Sequence, residues 1–417
     1  MSTGSQTRVR LGMVGLGGAT MQLLPSIVTD ERVEIAGVVD ADERARRDFA
    51  DDFAVPAHES VEALAADPGV DAVYLATPHA LHADQAVAAL AQGTHVLVEK
   101  PLSLTVADCL RVVEASRASG AHVVVGHTHA FDRPVRALRD LLDHGDLGEV
   151  AMITSFNYGS FLYRPRRPEE LDTRLGGGIM FNQVPHQVDL VRLLGGGLVR
   201  SVRSSAFVLD PSRPTEGSHT TFLDFEGGAV ASLVYSGYDR FDTDELTGWI
   251  DENGAPRRPD HGSATRALRA LPSPADEPAL KAARGYQRGW APPVADGHQH
   301  PHFGLLLVSC ERADVRVGPS GLQVYDIDGM REVPVEPVAA VPDKSAVLDD
   351  LYRAVVLDEP SPHDAAWGAA TVEVCEAILA SSRERREVTL AHQVPRRRPA
   401  VAVSPDPAPR DPAARGA

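Results

Sequence analysis

The sequence predicts two successive units: an α/β unit with a doubly wound parallel sheet, then an α+β unit built on an open-faced, mainly antiparallel sheet. Three observations carry this. From Val9 to Val125, short and almost wholly apolar runs alternate with alanine-rich amphipathic stretches, the pattern of strands covered by helices on both faces. After about Asp146 the runs lengthen, alternate apolar with polar residues and meet at glycine turns, as half-buried antiparallel strands do. With 417 residues, the chain also exceeds what one hydrophobic core organises.

In chain order, VRLGMVGL, VEIAGVVD, VDAVYLAT, THVLVEK and AHVVVGH read as buried strands, with HADQAVAALAQG and TVADCLRVVEASRASG among the intervening helices. EVAMITSFNYG, LVRSVRSSAFVLD, HTTFLDFEGGAVASLVYSG and ADVRVGPSGLQVYDIDG follow as strands, with a hairpin turn at Glu226-Gly227-Gly228. Helices are expected over FNQVPHQVDLVRLL, KSAVLDDLYRAVV and AAWGAATVEVCEAILASSRE. Tyr238 to Pro301 is rich in Pro, Arg, Gly and Asp without periodicity, and reads as a long excursion from the sheet, either a lid or an oligomer arm. From Pro395 the composition is that of a disordered tail. The expected units are therefore 1–128 and 129–393, with 238–301 as the excursion and 394–417 as the tail.

A formal charge of -17 and 5% aromatic residues speak against nucleic-acid binding. An acidic ligand must then meet a local cluster of arginines. No apolar run reaches bilayer length, and the polar start MSTGSQTRVR lacks a signal-peptide core. Cys109, Cys310 and Cys375 are widely spaced, as free thiols of a cytoplasmic protein would be. His298, His300 and His302 alternate in HQHPHF, which a strand would align. No cysteine or carboxylate has matching spacing, and no metal is expected.

LGMVGLGGAT sets Gly15, Gly17 and Gly18 between the first strand and a helix, where a dinucleotide pyrophosphate approaches bare backbone and a helix N-terminus. The third motif position is Thr20 rather than glycine. Asp40 closes the second strand, placed to accept the adenosine ribose hydroxyls and to disfavour a 2′-phosphate, unless it only caps a helix. NAD is expected, while Arg44, Arg46 and Arg47 leave NADP open.

The stretch GGGIMFNQVPHQVDL contains His186, a group that titrates near neutral pH. Asn182, one turn earlier on a helix, can orient its ring by a hydrogen bond, and Asp189, one turn later, can supply charge. Upstream, FLYRPRRPEELDTRLGGG carries Arg164, Arg166, Arg167 and Arg174. Guanidinium forks suit carboxylates, so Arg164 and Arg174 are the first candidates for an acidic substrate. A surface loop balanced by Glu169, Glu170 and Asp172 would read the same way.

With these segments, ATPHALH (Ala76 to His82) and EKP (Glu99 to Pro101), the chain resembles the Gfo/Idh/MocA oxidoreductase family over most of residues 8–390. The resemblance implies a Rossmann domain followed by a sheet domain that contacts substrate and forms a homodimer or homotetramer. It implies cofactor contacts from Thr77, Pro78, His79, His82 and Glu99, and places Lys100 beside the nicotinamide. A lysine near that positive ring has a lowered pKa and can hold the reacting oxygen. The implied catalytic set is Lys100 and His186, assisted by Asn182 or Asp189.

Two departures stand out. Relatives often carry aspartate at the position of Asn182, and an Asn-Arg-Arg stretch where this chain reads GHTHAFDRP. His127 and His129 thereby become candidates for substrate contact. The arginine segment, FNQVPHQVD, HFGLLLVSCERADVR and HDAAWGAATVEVCEAIL are similar to the phthalate dihydrodiol dehydrogenase branch. That similarity implies NAD(P)-dependent oxidation of a cis-dihydrodiol carboxylate to a dihydroxy aromatic acid. The alternatives are a sugar, inositol or glycoside dehydrogenase, and a nucleotide-binding regulator without chemistry. Asn182 favours the regulator; Lys100 and His186 oppose it.

Overall fold

The computed structural model describes residues 8–294, 297–336 and 342–397. Strands β1 (Val9–Val14), β2 (Val33–Val39), β3 (Ala72–Leu75), β4 (His95–Val98) and β5 (Val123–Val125) form a wholly parallel sheet in the order β2-β1-β3-β4-β5. Helices α1 (Gly18–Thr29), α2 (Glu43–Phe53), α3 (Val61–Ala65), α4 (His82–Ala91) and α5 (Val106–Ser119) connect them. Their starts follow local chemistry: the side chains of Asp42, Ser60 and Thr105 cap α2, α3 and α5. Because β2 and β3 lie on opposite sides of β1, the connections diverge there and open a crevice at the strands' carboxyl ends.

The second sheet has nine strands: β6 (Val150–Tyr158), β7 (Val199–Phe207), β8 (Ser218–Phe225), β9 (Val230–Ser236), β10 (Leu305–Cys310), β11 (Asp314–Gly318), β12 (Gly321–Asp326), β13 (Gly329–Pro334) and β14 (Val388–Thr389). Their order is β13-β12-β11-β10-β6-β9-β8-β7-β14, antiparallel except where β6 meets β9. The β8–β9 hairpin turns where expected, with Gly228 at φ +89°. Helices α6 (Arg133–Asp143), α7 (Val184–Leu194) and α11 (Ala365–Glu384) share a core with one face, through Leu138, Val188, Val191, Leu223 and Val374. Met152, Phe222 and Met330 remain exposed on strands of this sheet.

Between β9 and β10 runs the excursion, with α8 (Ser263–Arg269) and α9 (Glu277–Ala282). It crosses back to the first sheet's crevice and is strapped there. The Tyr286 backbone N–H donates to the Leu16 carbonyl at 2.9 Å, and the Tyr286 hydroxyl donates to Asp52 at 2.6 Å. Helix α10 (Ser345–Leu357), expected in the second unit, instead completes the first: Val347, Leu348 and Leu351 are buried in one core with Val9, Leu11 and Met13. Of the expected tail, Arg396 is held by Gly196 and Asp143, and 398–417 lie outside the described residues.

Candidate active site

A cleft of about 950 Å³ opens at the crevice. Gly15 adopts φ +88°, and a Cβ there would lie 2.8 Å from the Ala76 carbonyl, so only glycine lets β1 and β3 end this close. Gly17 caps α1, and added Cβ atoms at Gly17 or Gly18 would meet nothing within 4 Å. The unsatisfied N–H groups of the first helical turn therefore face open space that suits a pyrophosphate. Thr20, the irregular motif position, is buried and donates its hydroxyl to the Gly15 carbonyl at 2.5 Å, which latches the turn.

Asp40 lines the same cleft while accepting the N–H groups of Leu16 (2.6 Å) and Asp42 (2.7 Å). Each carboxylate oxygen keeps a further lone pair for ribose hydroxyls. Of the nearby arginines, Arg44 and Arg47 pair with Asp48 and Glu43 on the exposed side of α2, whereas Arg46 donates to the Asp40 carbonyl at 2.9 Å.

Thr77, Pro78, His79, Glu99 and Lys100 also line the cleft. His82 does not. Its ring is buried, with Nδ1 2.9 Å from the Pro101 carbonyl and Nε2 2.9 Å from that of Thr77. It ties together the two loops that carry Thr77 and Lys100, because α4 begins at His82 and turns the ring inward. Burial lowers its pKa even though both carbonyls favour the charged ring. The Lys100 Nζ donates to the Asn182 carbonyl at 2.7 Å. Burial pulls its pKa down to about 8; Glu99 and Glu252 oppose the shift, and Arg166 and Lys281 reinforce it.

Neither expected partner holds His186. Asn182 precedes α7, which starts at Val184, so the two residues do not share a helix face. Its amide instead donates to the Gly176 and Gly178 carbonyls at 3.0 and 2.8 Å and closes the glycine turn. Asp189 is buried and accepts from the Thr128 hydroxyl and the Trp367 indole, with His363 at 3.6 Å. Among the described residues the buried Nδ1 of His186 has no hydrogen-bond partner, and the ring lies 4.9 Å from that of His129 and 5.3 Å from that of Phe303. Burial, then Lys100 and His129, push its pKa well below the ordinary value, so the ring is neutral. His129 itself has a carboxylate: its Nδ1 lies 2.6 Å from Asp132 Oδ2. His127 sits behind it, buried, with Nε2 3.6 Å from Asp132 Oδ1.

The arginines separate. Arg164 pairs with Glu252 of the excursion at 2.7 Å. Burial would raise the Glu252 pKa, but the Arg164 charge overrides it and holds the carboxyl down to about 2. Arg166 is buried over the Phe161 ring at 3.7 Å and donates to its carbonyl at 2.7 Å. Arg167 lines the cofactor cleft. Arg174, expected at the substrate, points to solvent: its side chain is 88% exposed and clamps Asp172 within the same short turn.

Residues 9–127 match a family model described as an oxidoreductase family with an NAD-binding Rossmann fold, and residues 135–248 match the GFO/IDH/MocA C-terminal domain. The chain belongs to the Gfo/Idh/MocA family. Within it, the chain is 39% identical over 380 residues to the 1-carboxy-3-chloro-3,4-dihydroxycyclohexa-1,5-diene dehydrogenase of Comamonas testosteroni, spanning 89% of this chain and 94% of that one. A solved structure from Bordetella bronchiseptica RB50 is 40% identical, with a TM-score of 0.87 over 92% of this chain and 100% of that one. The myo-inositol 2-dehydrogenase of Thermotoga maritima is 28% identical over 245 residues, 56% of this chain and 71% of that one.

This Gfo/Idh/MocA member is an NAD(P)-dependent dehydrogenase acting on CH–OH groups, built on an NAD-binding Rossmann domain. Bound NAD+ supplies a hydride acceptor. The glycine turn and the α1 N-terminus would hold its pyrophosphate, and Asp40 its ribose. Three features escaped sequence reasoning. Glu252 lies in a segment without periodicity, and Phe303 stands in HFGLLLVSCERADVR, where no local pattern marks it as a neighbour of the histidines. Asp132, spaced i+3 from His129 in HAFD, left a legible trace.

Proposed function

We propose that the chain oxidises a carboxylated cyclohexadiene cis-diol, of the phthalate dihydrodiol type, to the dihydroxy aromatic acid. The observation that carries this reading is Arg164, which is half-buried against Glu252 and lies near Arg166, two of the groups that perturb Lys100. Its contact with Glu252 uses one nitrogen, and the guanidinium has further donors for a substrate carboxylate. The similarity to a dehydrogenase named for a carboxylated dihydroxycyclohexadiene supports the same substrate class. Arg166 is engaged with Phe161 and Glu170 and Arg174 faces solvent, so one substrate carboxylate, at Arg164, is read.

Lys100 donates a hydrogen bond to the reacting oxygen, and neutral His186 orients the hydroxyl. Gain of aromaticity drives the product side. The exposed apolar residues on the second sheet, Met152, Phe222 and Met330, support self-association as a homodimer or homotetramer. Three unpaired cysteines fit a reducing, cytoplasmic setting.

The test is NADH formation from NAD+ with a carboxylated cis-diol, with myo-inositol and with glucose. Turnover of the diol alone is expected. Turnover of inositol or glucose without the diol would replace this reading with a polyol dehydrogenase. NADH binding without turnover of any alcohol would favour the regulator.

A further inference from the structure

His186 is not the group best placed to end with the substrate's proton. Its buried Nδ1 has no partner among the described residues, Asn182 and Asp189 are engaged elsewhere, and the Lys100 ammonium lies close. Two imidazoles whose centroids lie 4.9 Å apart will not both take a charge readily. Only one of them has a carboxylate. His129 Nδ1 is 2.6 Å from Asp132 Oδ2, and both residues are buried at the end of the segment that joins β5 to α6. Phe303 packs on both rings, 4.9 Å from His129 and 5.3 Å from His186, so the two imidazoles share one wall.

We propose that His129 is the proton acceptor of the dehydrogenase, held in its reactive tautomer by Asp132 as a positioning residue, while His186 stays neutral and binds the hydroxyl. A carboxylate on Nδ1 fixes the proton there and leaves Nε2 as the base, the logic of a carboxylate–imidazole pair in any proton-transfer site. As the carbon–hydrogen bond breaks, its hydride passes to NAD+. The hydroxyl O–H bond breaks, its proton goes to His129 Nε2, and the C=O bond forms. The imidazolium is stabilised by Asp132. In a diol substrate, the adjacent ring carbon then loses its proton as the carbonyl oxygen gains one, giving the aromatic diol. His129 returns its proton to water.

The carboxylate that neither Asn182 nor Asp189 gives His186 is thus supplied to the neighbouring imidazole by the HAFD segment. The charged or titratable groups facing His129 are Asp132 and His127 on its own loop, His186 on α7, Glu252 in the excursion and His302 before β10. Lys100 acts on His186 as well.

The kinetic part of the test rests on the proposed diol reaction for its substrate; the spectroscopic part needs no substrate. In the full chain with NADH bound, imidazole NMR signals are assigned by their loss in His129→Gln and His186→Gln. The His129 ring is expected to be held as the Nδ1–H tautomer, and Asp132→Asn is expected to release it to a mixture of tautomers. An Nε2–H tautomer at His129, or no change in Asp132→Asn, overturns the proposal whatever the substrate proves to be. With the diol, His129→Gln is expected to lower kcat about 10²- to 10⁴-fold and to remove the acidic limb of kcat/KM, with NADH affinity retained as the check on folding. His186→Gln is expected to raise KM and keep that limb. The limb surviving in His129→Gln and vanishing in His186→Gln would refute the assignment.

Discussion

The cofactor cleft and the proposed substrate pocket meet at Lys100, but they are made differently. The cleft is built mainly from backbone at the ends of adjacent parallel strands: Gly15, Gly17 and Gly18 after β1, Asp40 after β2, Thr77 and Pro78 after β3. The pocket is built from side chains of segments far apart in sequence: His129 after β5, Arg164 after β6, His186 on α7, Glu252 in the excursion and Phe303 before β10. A backbone site constrains consecutive residues and leaves a motif. A side-chain site constrains single positions, and each can be exchanged if another segment offers the same chemistry.

Substitutions that touch one region and spare the other can break this contrast. The largest effect is expected from Lys100→Met, which removes a buried ammonium between the two: turnover of the diol falls about 10²- to 10⁴-fold while NADH affinity, read by fluorescence titration, stays within a few-fold. Loss of NADH binding as well would mean that the regions are not separable. Gly15→Ala should do the reverse. A Cβ set 2.8 Å from the Ala76 carbonyl at φ +88° costs about 1–3 kcal/mol and weakens NADH binding about 10- to 100-fold, visible by calorimetry.

Arg164→Gln sharpens the substrate side. KM for the carboxylated diol should rise about 10-fold or more, as expected for a lost charge-assisted contact of about 1.5–3 kcal/mol. The same change strands Glu252. In the native chain its carboxyl is held down to about 2, against an ordinary value of 4.5. Its contribution to stability is thus present above the unfolded value and is lost as pH falls through 4.5 towards 2. Urea unfolding between pH 6 and 3 should therefore lose less stability on acidification in Arg164→Gln than in the native chain. Arg174→Ala is the smallest: with a side chain 88% exposed, it should leave KM and kcat unchanged within about two-fold in steady-state assays, as expected of a surface ion pair.

The same contrast explains what the sequence disclosed. Both sheets, the β8–β9 hairpin and the glycine turn were legible because apolar periodicity and glycine placement act locally. Asn182 was misjudged because helical spacing was counted from before the helix began, at Val184. Asp189 was misjudged because its partners, Thr128 and Trp367, belong to other elements. Arg164 and Arg174 look alike in the sequence, and only the distant Glu252 distinguishes the inward side chain from the outward one.

Helix α10 carries a consequence for how the molecule is made. The core beneath β1 stays open until Val347, Leu348 and Leu351 arrive, long after β1 to β5 have been synthesised. At roughly 5–20 residues per second, a nascent chain would expose that apolar surface for about ten seconds or more. The nucleotide-binding unit starts before the sheet unit on the ribosome and is sealed only after most of that unit has been made.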